Sequence, residues 1–118
     1  QRAQRVRTLI RGMFRDLFQD IDSLLLPTFP IPPFRRGKGG VDAFQQKQGD
    51  VFTCTANLTG LPALAVPVEI NAGRPIGVQL MAPYFREDLL LDIAGKLESR
   101  YPIPQAPFCF DLTSFTEK

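Results

Sequence analysis

The first part of the chain repeats apolar and basic positions with the period of an α-helix. Apolar side chains recur every three or four residues from position 6 to position 21, which predicts an amphipathic helix. They are Val6, Leu9, Ile10, Met13, Phe14, Leu17, Phe18 and Ile21. No Ser, Thr, Asp or Asn precedes the first turn to cap it, so we expect the helix to begin earlier, in a longer protein.

The polar face of this helix is strongly basic. It carries Arg2, Arg5, Arg7, Arg11 and Arg15. Arginines that neutralise phosphates are typical of nucleic-acid binding, but no aromatic side chains for base stacking share this face. The alternative is a solvated face whose arginines contact acidic residues elsewhere in a longer protein.

The middle of the chain predicts one strand and one further helix. The apolar run Leu24–Leu26 stops at Pro27, as a short buried strand does, and further prolines keep residues 28–34 extended. Residues 35–40 are a basic, glycine-rich loop without the pattern of a phosphate-binding loop. A helix then runs from Ala43 toward Leu58, with Gly49 as a weak point, or a shorter helix is capped by Asp50.

The second half of the chain predicts a hairpin followed by a helix. The helix between residues 43 and 58 is expected to stop at Gly60. Residues 63–70 and 76–81 form two antiparallel strands around turn residues 71–75, and Gly77 allows close packing. Leu89, Leu90 and three later apolar residues define one face of a helix over residues 86–100. Residues 101–118, rich in proline, form an extended tail.

These elements give an α/β layer in the order helix, strand, helix, hairpin, helix. The chain of 118 residues, 44% hydrophobic with a net charge of +2, is long enough for one domain or part of one. A sheet of so few strands leaves apolar surface uncovered, so we expect residues 1–118 to be a single partial domain that self-associates when isolated.

Composition excludes several kinds of chemistry. The sequence contains no histidine, which excludes Ser-His-Asp and Cys-His catalysis. The two cysteines, Cys54 and Cys109, are too few for a disulfide framework, and we interpret them as small apolar fillers in a reducing, cytoplasmic compartment. No apolar run is long enough to cross a membrane.

Four segments in order resemble the amidase signature family. They are Ala3–Ile10, Leu24–Pro30, Asn57–Pro67 and Pro75–Leu80. The resemblance implies the α/β/α fold of that family, a mixed sheet flanked by helices, with this chain as its C-terminal part. It also implies a Ser–cis-Ser–Lys triad in a Gly/Ser-rich segment, which this sequence lacks. We therefore expect no catalytic residue here, and an isolated chain without activity.

Within that family the chain is most similar to the glutamine-hydrolysing A subunits of tRNA-dependent amidotransferases. The resemblance implies B and C subunits as partners, ammonia delivery to a misacylated Glu-tRNA(Gln) or Asp-tRNA(Asn), and ATP and magnesium used by the whole complex rather than by this chain. Asp50, seven residues before Asn57, matches the aspartate of this branch that binds the glutamine substrate.

Two alternatives remain. The chain is part of another amidase signature hydrolase that acts on a different amide, or it is a non-catalytic module whose basic helix binds RNA or an acidic partner. A steep salt dependence of binding would indicate phosphate contacts and favour the module.

Overall fold

The structure is a computed structural model that describes residues 1–31 and 43–103, without the side chains at positions 43, 45 and 46. Over these residues the α/β class is confirmed. In chain order the elements are α1 (Arg2–Asp20), β1 (Leu24–Pro27), α2 (Ala43–Gly49), α3 (Thr53–Thr59), β2 (Ala63–Asn71), β3 (Arg74–Met81) and α4 (Glu87–Arg100). The predicted basic loop at residues 35–40, Cys109 and the tail beyond Ile103 lie outside the described residues.

The middle helix is divided, so the predicted order of elements changes. A single helix toward Leu58 was expected, but α2 ends at Gly49 and α3 begins at Thr53. The alternative, a helix capped by Asp50, lies closer to the structure, yet the N-cap residue of α3 is Phe52 and no side chain caps it. Gly49 has low helix propensity and packs against a distant part of the chain, so tertiary contact favours a break there.

β3 is the central strand of the three-stranded sheet that the described residues form. It pairs antiparallel with β1 on one side and with β2 on the other, in the order β1-β3-β2. The pairing places Leu80 opposite both Leu25 and Leu64. β2 passes through Pro67, where its register with β3 shifts between Pro67 and Glu69. Proline is tolerated there because β2 is an edge strand of this sheet and the position lies at a bulge.

The hydrophobic core lies between one face of the sheet and α4. Side chains two residues apart on a strand share a face, and the alternate residues of β2 and β3 supply the apolar surface that α4 covers. The buried core residues are Val66, Leu80, Ala82, Leu90 and Ala94. Leu80 and Leu90 are 1% and 3% exposed, so β3 and α4 each bury a large apolar side chain in this cluster.

The N-terminus of α4 carries two acidic residues. Glu87 and Asp88 lie in the first turn, where carboxylates interact favourably with the helix dipole. Arg86 donates a hydrogen bond from Nε to Asp88 Oδ1 over 3.1 Å, and this bond lowers the pKa of Asp88. Because both side chains are exposed, the pair contributes little to stability.

α3 ends as the sequence predicts, at Gly60. Gly60 has φ +76°, and its amide donates to the Ala56 carbonyl over 2.7 Å. A Cβ at this position would lie 3.1 Å from Nη2 of Arg11 and would strain a left-handed backbone. Glycine at position 60 therefore allows the left-handed backbone conformation and leaves space for Arg11 of α1.

Two arginines of α1 bind the carboxyl end of α3. Arg7 Nε donates to the Leu58 carbonyl and Arg11 Nε to the Thr59 carbonyl, each over 2.7 Å. The Thr59 carbonyl also accepts a hydrogen bond from Tyr84 Oη over 2.7 Å. Positive charge at the C-terminus of a helix stabilises its unpaired carbonyls and its dipole. Arg7 and Arg11 thus contact main-chain carbonyls of this chain, while the predicted contacts of the basic face with acidic residues of a longer protein stay a prediction.

The apolar stripe of α1 is uncovered in the described part of the chain. The helix is amphipathic as predicted, but none of its residues is fully buried. Val6, Leu9, Met13 and Leu17 are between 40% and 66% exposed. On the neighbouring face, the Phe14 and Phe18 rings pack with their centroids 6.3 Å apart. A stripe of this kind normally packs against another surface.

We expect the isolated 118-residue chain to form dimers or larger species through this stripe. Leu9→Gln should shift the chain toward monomer, because it places an amide in the centre of the stripe. Leu91→Gln on α4 is the matched control, since Leu9 and Leu91 are both 66% exposed. Size-exclusion chromatography with light scattering measures the outcome, and a monomeric wild-type chain contradicts the prediction.

The turn between β2 and β3 offers a test of stability. Ala72 and Gly73 both have positive φ, +49° and +76°, the pattern of a type I′ turn. Alanine is strained in this region, so Ala72→Gly should raise the free energy of unfolding by about 0.5–1 kcal/mol in chemical denaturation. Gly73→Ala should lower it, and equal stability of all three proteins would show that the turn does not have this conformation.

Candidate functional site

Asp50 lies half-buried at the junction between α2 and α3. Its main chain is held in place, because its carbonyl accepts hydrogen bonds from Cys54 N at 2.9 Å and from Thr53 Oγ1 at 3.3 Å. Within residues 1–31 and 43–103, its carboxylate has no hydrogen bond and no ion pair. The Asp50 side chain is therefore neither a helix cap nor part of a salt bridge among these residues.

Phe29 packs against the residue that precedes Asp50. A Cβ built on Gly49 would lie 2.7 Å from Cε1 and 3.3 Å from Cδ1 of the Phe29 ring. Gly49 is buried, whereas Phe29 is 50% exposed. The ring thus occupies the space that a side chain at position 49 would need, so any residue other than glycine requires the ring or the main chain to shift.

β3 contacts the other side of the same junction through Gln79. This side chain is only 5% exposed, and its Nε2 donates to the Phe52 carbonyl over 3.3 Å. Gln79 points away from the α4 core, because it alternates with Leu80 along the strand. A residue of the central strand therefore holds the turn that contains Asp50.

The exit of β1 is tied to β3 at Gly77, where the predicted close packing is confirmed. Thr28 N donates to the Gly77 carbonyl over 3.2 Å, and a Cβ on Gly77 would lie 3.3 Å from Thr28 Oγ1 and 3.5 Å from the Val66 carbonyl oxygen. The hydroxyl of Thr28 is buried and has no hydrogen-bond partner in the described part of the chain.

Other candidate chemical groups occupy ordinary surface positions. Cys54 is exposed, so its interpretation as an apolar filler is wrong: it lies on the outer face of α3. Ser99 Oγ donates to the Gly95 carbonyl, and Lys96 pairs with Asp92 along α4. Among the described residues, no group of His, Cys, Asp or Glu could hold a metal ion. No helix within residues 1–31 and 43–103 is both long and apolar enough to cross a bilayer.

Three residues around Asp50 were not singled out from the sequence as part of a site. Phe29 was assigned only to an extended strand exit, Gly49 only to a weak point in a helix, and Gln79 only to a strand. One signal was available: Gln79 is a polar residue inside an otherwise apolar strand segment, Ile76–Met81. A polar side chain in such a run is usually buried with a specific hydrogen-bond partner.

Comparison with known proteins gives a consistent result. The amidase family model matches residues 1–91. The chain is 46% identical over 100 residues to the A subunit of glutamyl-tRNA(Gln) amidotransferase of Salinibacter ruber, covering 82% of this chain and 20% of that protein. It is 37% identical over 98 residues to the protein of the same name from Clostridium botulinum, covering 83% of this chain and 20% of the relative.

Solved structures share the fold. The A subunit of glutamyl-tRNA(Gln) amidotransferase from Thermotoga maritima matches with a TM-score of 0.76 and 33% identity, over 83% of this chain and 22% of that one. A 6-aminohexanoate cyclic dimer hydrolase matches with a TM-score of 0.64 and 30% identity, over 79% of this chain and 22% of the hydrolase.

The match to the family model extends through every described element from α1 into α4. The chain spans about a fifth of the length of the curated relatives that it matches. The resemblance seen in four short sequence segments is thus confirmed by the family model and by the fold. This chain belongs to the amidase family.

Proposed function

We propose that this chain forms the glutamine-recognition part of the A subunit of a tRNA-dependent amidotransferase. The A subunits from Salinibacter ruber and Clostridium botulinum are 46% and 37% identical to it. The solved structure with the amidotransferase name has a higher TM-score, 0.76, than the cyclic dimer hydrolase, 0.64. Both the identities and the TM-scores favour the amidotransferase branch over other amide hydrolases of the family.

The observation that carries this proposal is the carboxylate of Asp50, which has no partner among residues 1–31 and 43–103, on a main chain that is held in place. A carboxylate at such a position forms a charge-assisted hydrogen bond with an ammonium group. Free glutamine has an α-ammonium, whereas a simple amide does not. Asp50 thus selects an amino-acid amide as substrate and sets the orientation in which it binds.

This orientation determines where the rest of the subunit must place its catalytic residues. With the α-ammonium held at Asp50, the side-chain amide of glutamine extends away by the length of its two methylene groups. The nucleophilic serine of the family's Ser–cis-Ser–Lys triad, outside this sequence, attacks the carbon of that amide, and the C–N bond breaks to release ammonia. Water then hydrolyses the acyl ester on the serine, which gives glutamate and frees the serine.

The remaining partners act beyond this chain. In this proposal the B and C subunits complete the complex, and the B subunit uses the ammonia to convert misacylated Glu-tRNA(Gln) or Asp-tRNA(Asn) to its amidated form. ATP and magnesium serve that second step. We place both outside this chain, and glutamine recognition at Asp50 requires neither.

The first test of the proposal is Asp50→Asn, introduced into the full-length protein and measured within the assembled complex. The substitution keeps the size of the side chain but removes the charge. A hydrogen bond to a charged group contributes roughly 1.5–3 kcal/mol, so kcat/KM for glutamine should fall about 10- to 150-fold. The reaction with free ammonia as nitrogen donor should continue, because ammonia does not use the glutamine pocket.

Asp22→Asn is the matched control, since Asp22 is an exposed carboxylate on the segment between α1 and β1. It should leave both reactions unchanged. If Asp50→Asn lowers both reactions and the melting temperature together, Asp50 is a structural residue and the proposal is wrong. If neither reaction changes, the charge of Asp50 does not bind the substrate and the proposal is wrong.

The isolated chain should hydrolyse neither glutamine nor other amides. It lacks the Gly/Ser-rich segment that carries the nucleophile and the lysine base. The measurement is ammonia release from glutamine by the purified chain. Release above background that a substitution within residues 1–118 abolishes would contradict this prediction.

A further inference from the structure

We propose that Phe29 is a positioning residue for Asp50, acting through its contact with Gly49. This inference rests on the proposed role of Asp50 in glutamine recognition. It assigns a function to an aromatic side chain that burial does not explain, because the ring is 50% exposed.

The contact leaves no room for a side chain at position 49 unless the Phe29 ring or the main chain shifts. The Phe29 ring lies 2.7 Å from the position that a Cβ on Gly49 would occupy, a distance at which something has to move. Gly49 ends α2, and Asp50 is the next residue. A shift of the Gly49 Cα away from the ring therefore displaces the Asp50 backbone directly.

The main chain that carries the Phe29 ring is restricted in conformation. Phe29 stands between Pro27 and Pro30 in the sequence, and each proline restricts its own φ and the conformation of the residue before it. Thr28, next to Phe29, is hydrogen bonded to the Gly77 carbonyl of β3 over 3.2 Å. The ring is thus attached to the central strand by one short, stiff segment.

β3 also holds the far side of the junction. Gln79 Nε2 donates to the Phe52 carbonyl, two residues after Asp50. The central strand therefore supports the Asp50 turn at two points, through Phe29 before it and through Gln79 after it. Two supports on one rigid strand define the position of the carboxylate better than either of them alone.

The test is a double-mutant cycle in the full-length protein within the assembled complex. Gly49→Ala places a methyl group against the ring, and we expect the KM for glutamine to rise roughly tenfold, because small displacements of a binding group are costly. Phe29→Ala should also raise this KM. In the Phe29→Ala background, adding Gly49→Ala should change the KM by less than about twofold, since no ring remains to clash.

Two control variants test whether the change in KM comes from the contact between Phe29 and Gly49 or from adding a methyl group to a glycine or removing a phenylalanine elsewhere. Gly12→Ala adds a methyl group to a helical glycine that has no other atom within 4 Å of the new Cβ. Phe85→Ala removes a phenylalanine that is 89% exposed and lies far along the chain from Asp50. Neither should change the KM for glutamine, and ammonia-dependent kcat/KM should stay within about twofold for every variant of the cycle.

Several results would overturn the inference. One is a Gly49→Ala effect of equal size with and without the Phe29 ring, and another is a parallel loss of glutamine-dependent activity, ammonia-dependent activity and melting temperature. If Gly49→Ala does not fold, Phe29→Ala decides alone, and an unchanged KM for glutamine contradicts the inference.

Asp50→Asn, measured in the same assay, separates the two proposals. Suppose that Asp50→Asn loses glutamine-dependent activity strongly while the effects of Phe29→Ala and Gly49→Ala on the KM are additive. In that case Asp50 binds glutamine but Phe29 does not position it. No loss in Asp50→Asn means that both proposals are wrong.

Discussion

The fold depends on the position of β3 between two antiparallel partners. Its main chain is hydrogen bonded to β1 on one side and to β2 on the other. One face of β3 supplies Leu80 to the α4 core, and the other supplies Gln79 to the turn before α3. Because side chains alternate along a strand, one element can serve an apolar core and a polar junction at once.

At the junction between α2 and α3 the main chain of Asp50 is fixed, while its carboxylate remains available to a ligand. The Asp50 carbonyl takes part in the first turn of α3, while its carboxylate has no partner among the described residues. Phe29 and Gln79 hold the chain on either side, and both depend on β3. A charged group whose backbone is already fixed loses little main-chain freedom when a ligand binds, and an unpaired carboxylate has no existing partner to give up; both favour affinity.

The carboxyl end of α3 is supported by a different set of contacts. Arg7 and Arg11 donate to its last carbonyls, and Gly60 turns the chain toward β2. α1 therefore uses part of its basic face inside the molecule, while its apolar stripe stays exposed. This chain covers 20% of the length of the relatives that it matches, and a stripe of this kind normally packs against another surface.

The sequence by itself determined the features that depend on neighbouring residues. Hydrophobic periodicity located α1 and α4, β-strand and turn residues located the hairpin, and Gly60 marked the end of α3, because each depends on local backbone geometry. The sequence also singled out Asp50, through resemblance and not through physics. Only the tertiary structure decided that α2 ends where Gly49 meets the Phe29 ring, that Arg11 reaches the Thr59 carbonyl and that Cys54 is exposed. These outcomes depend on contacts between residues far apart in the chain, and no local pattern carries that information.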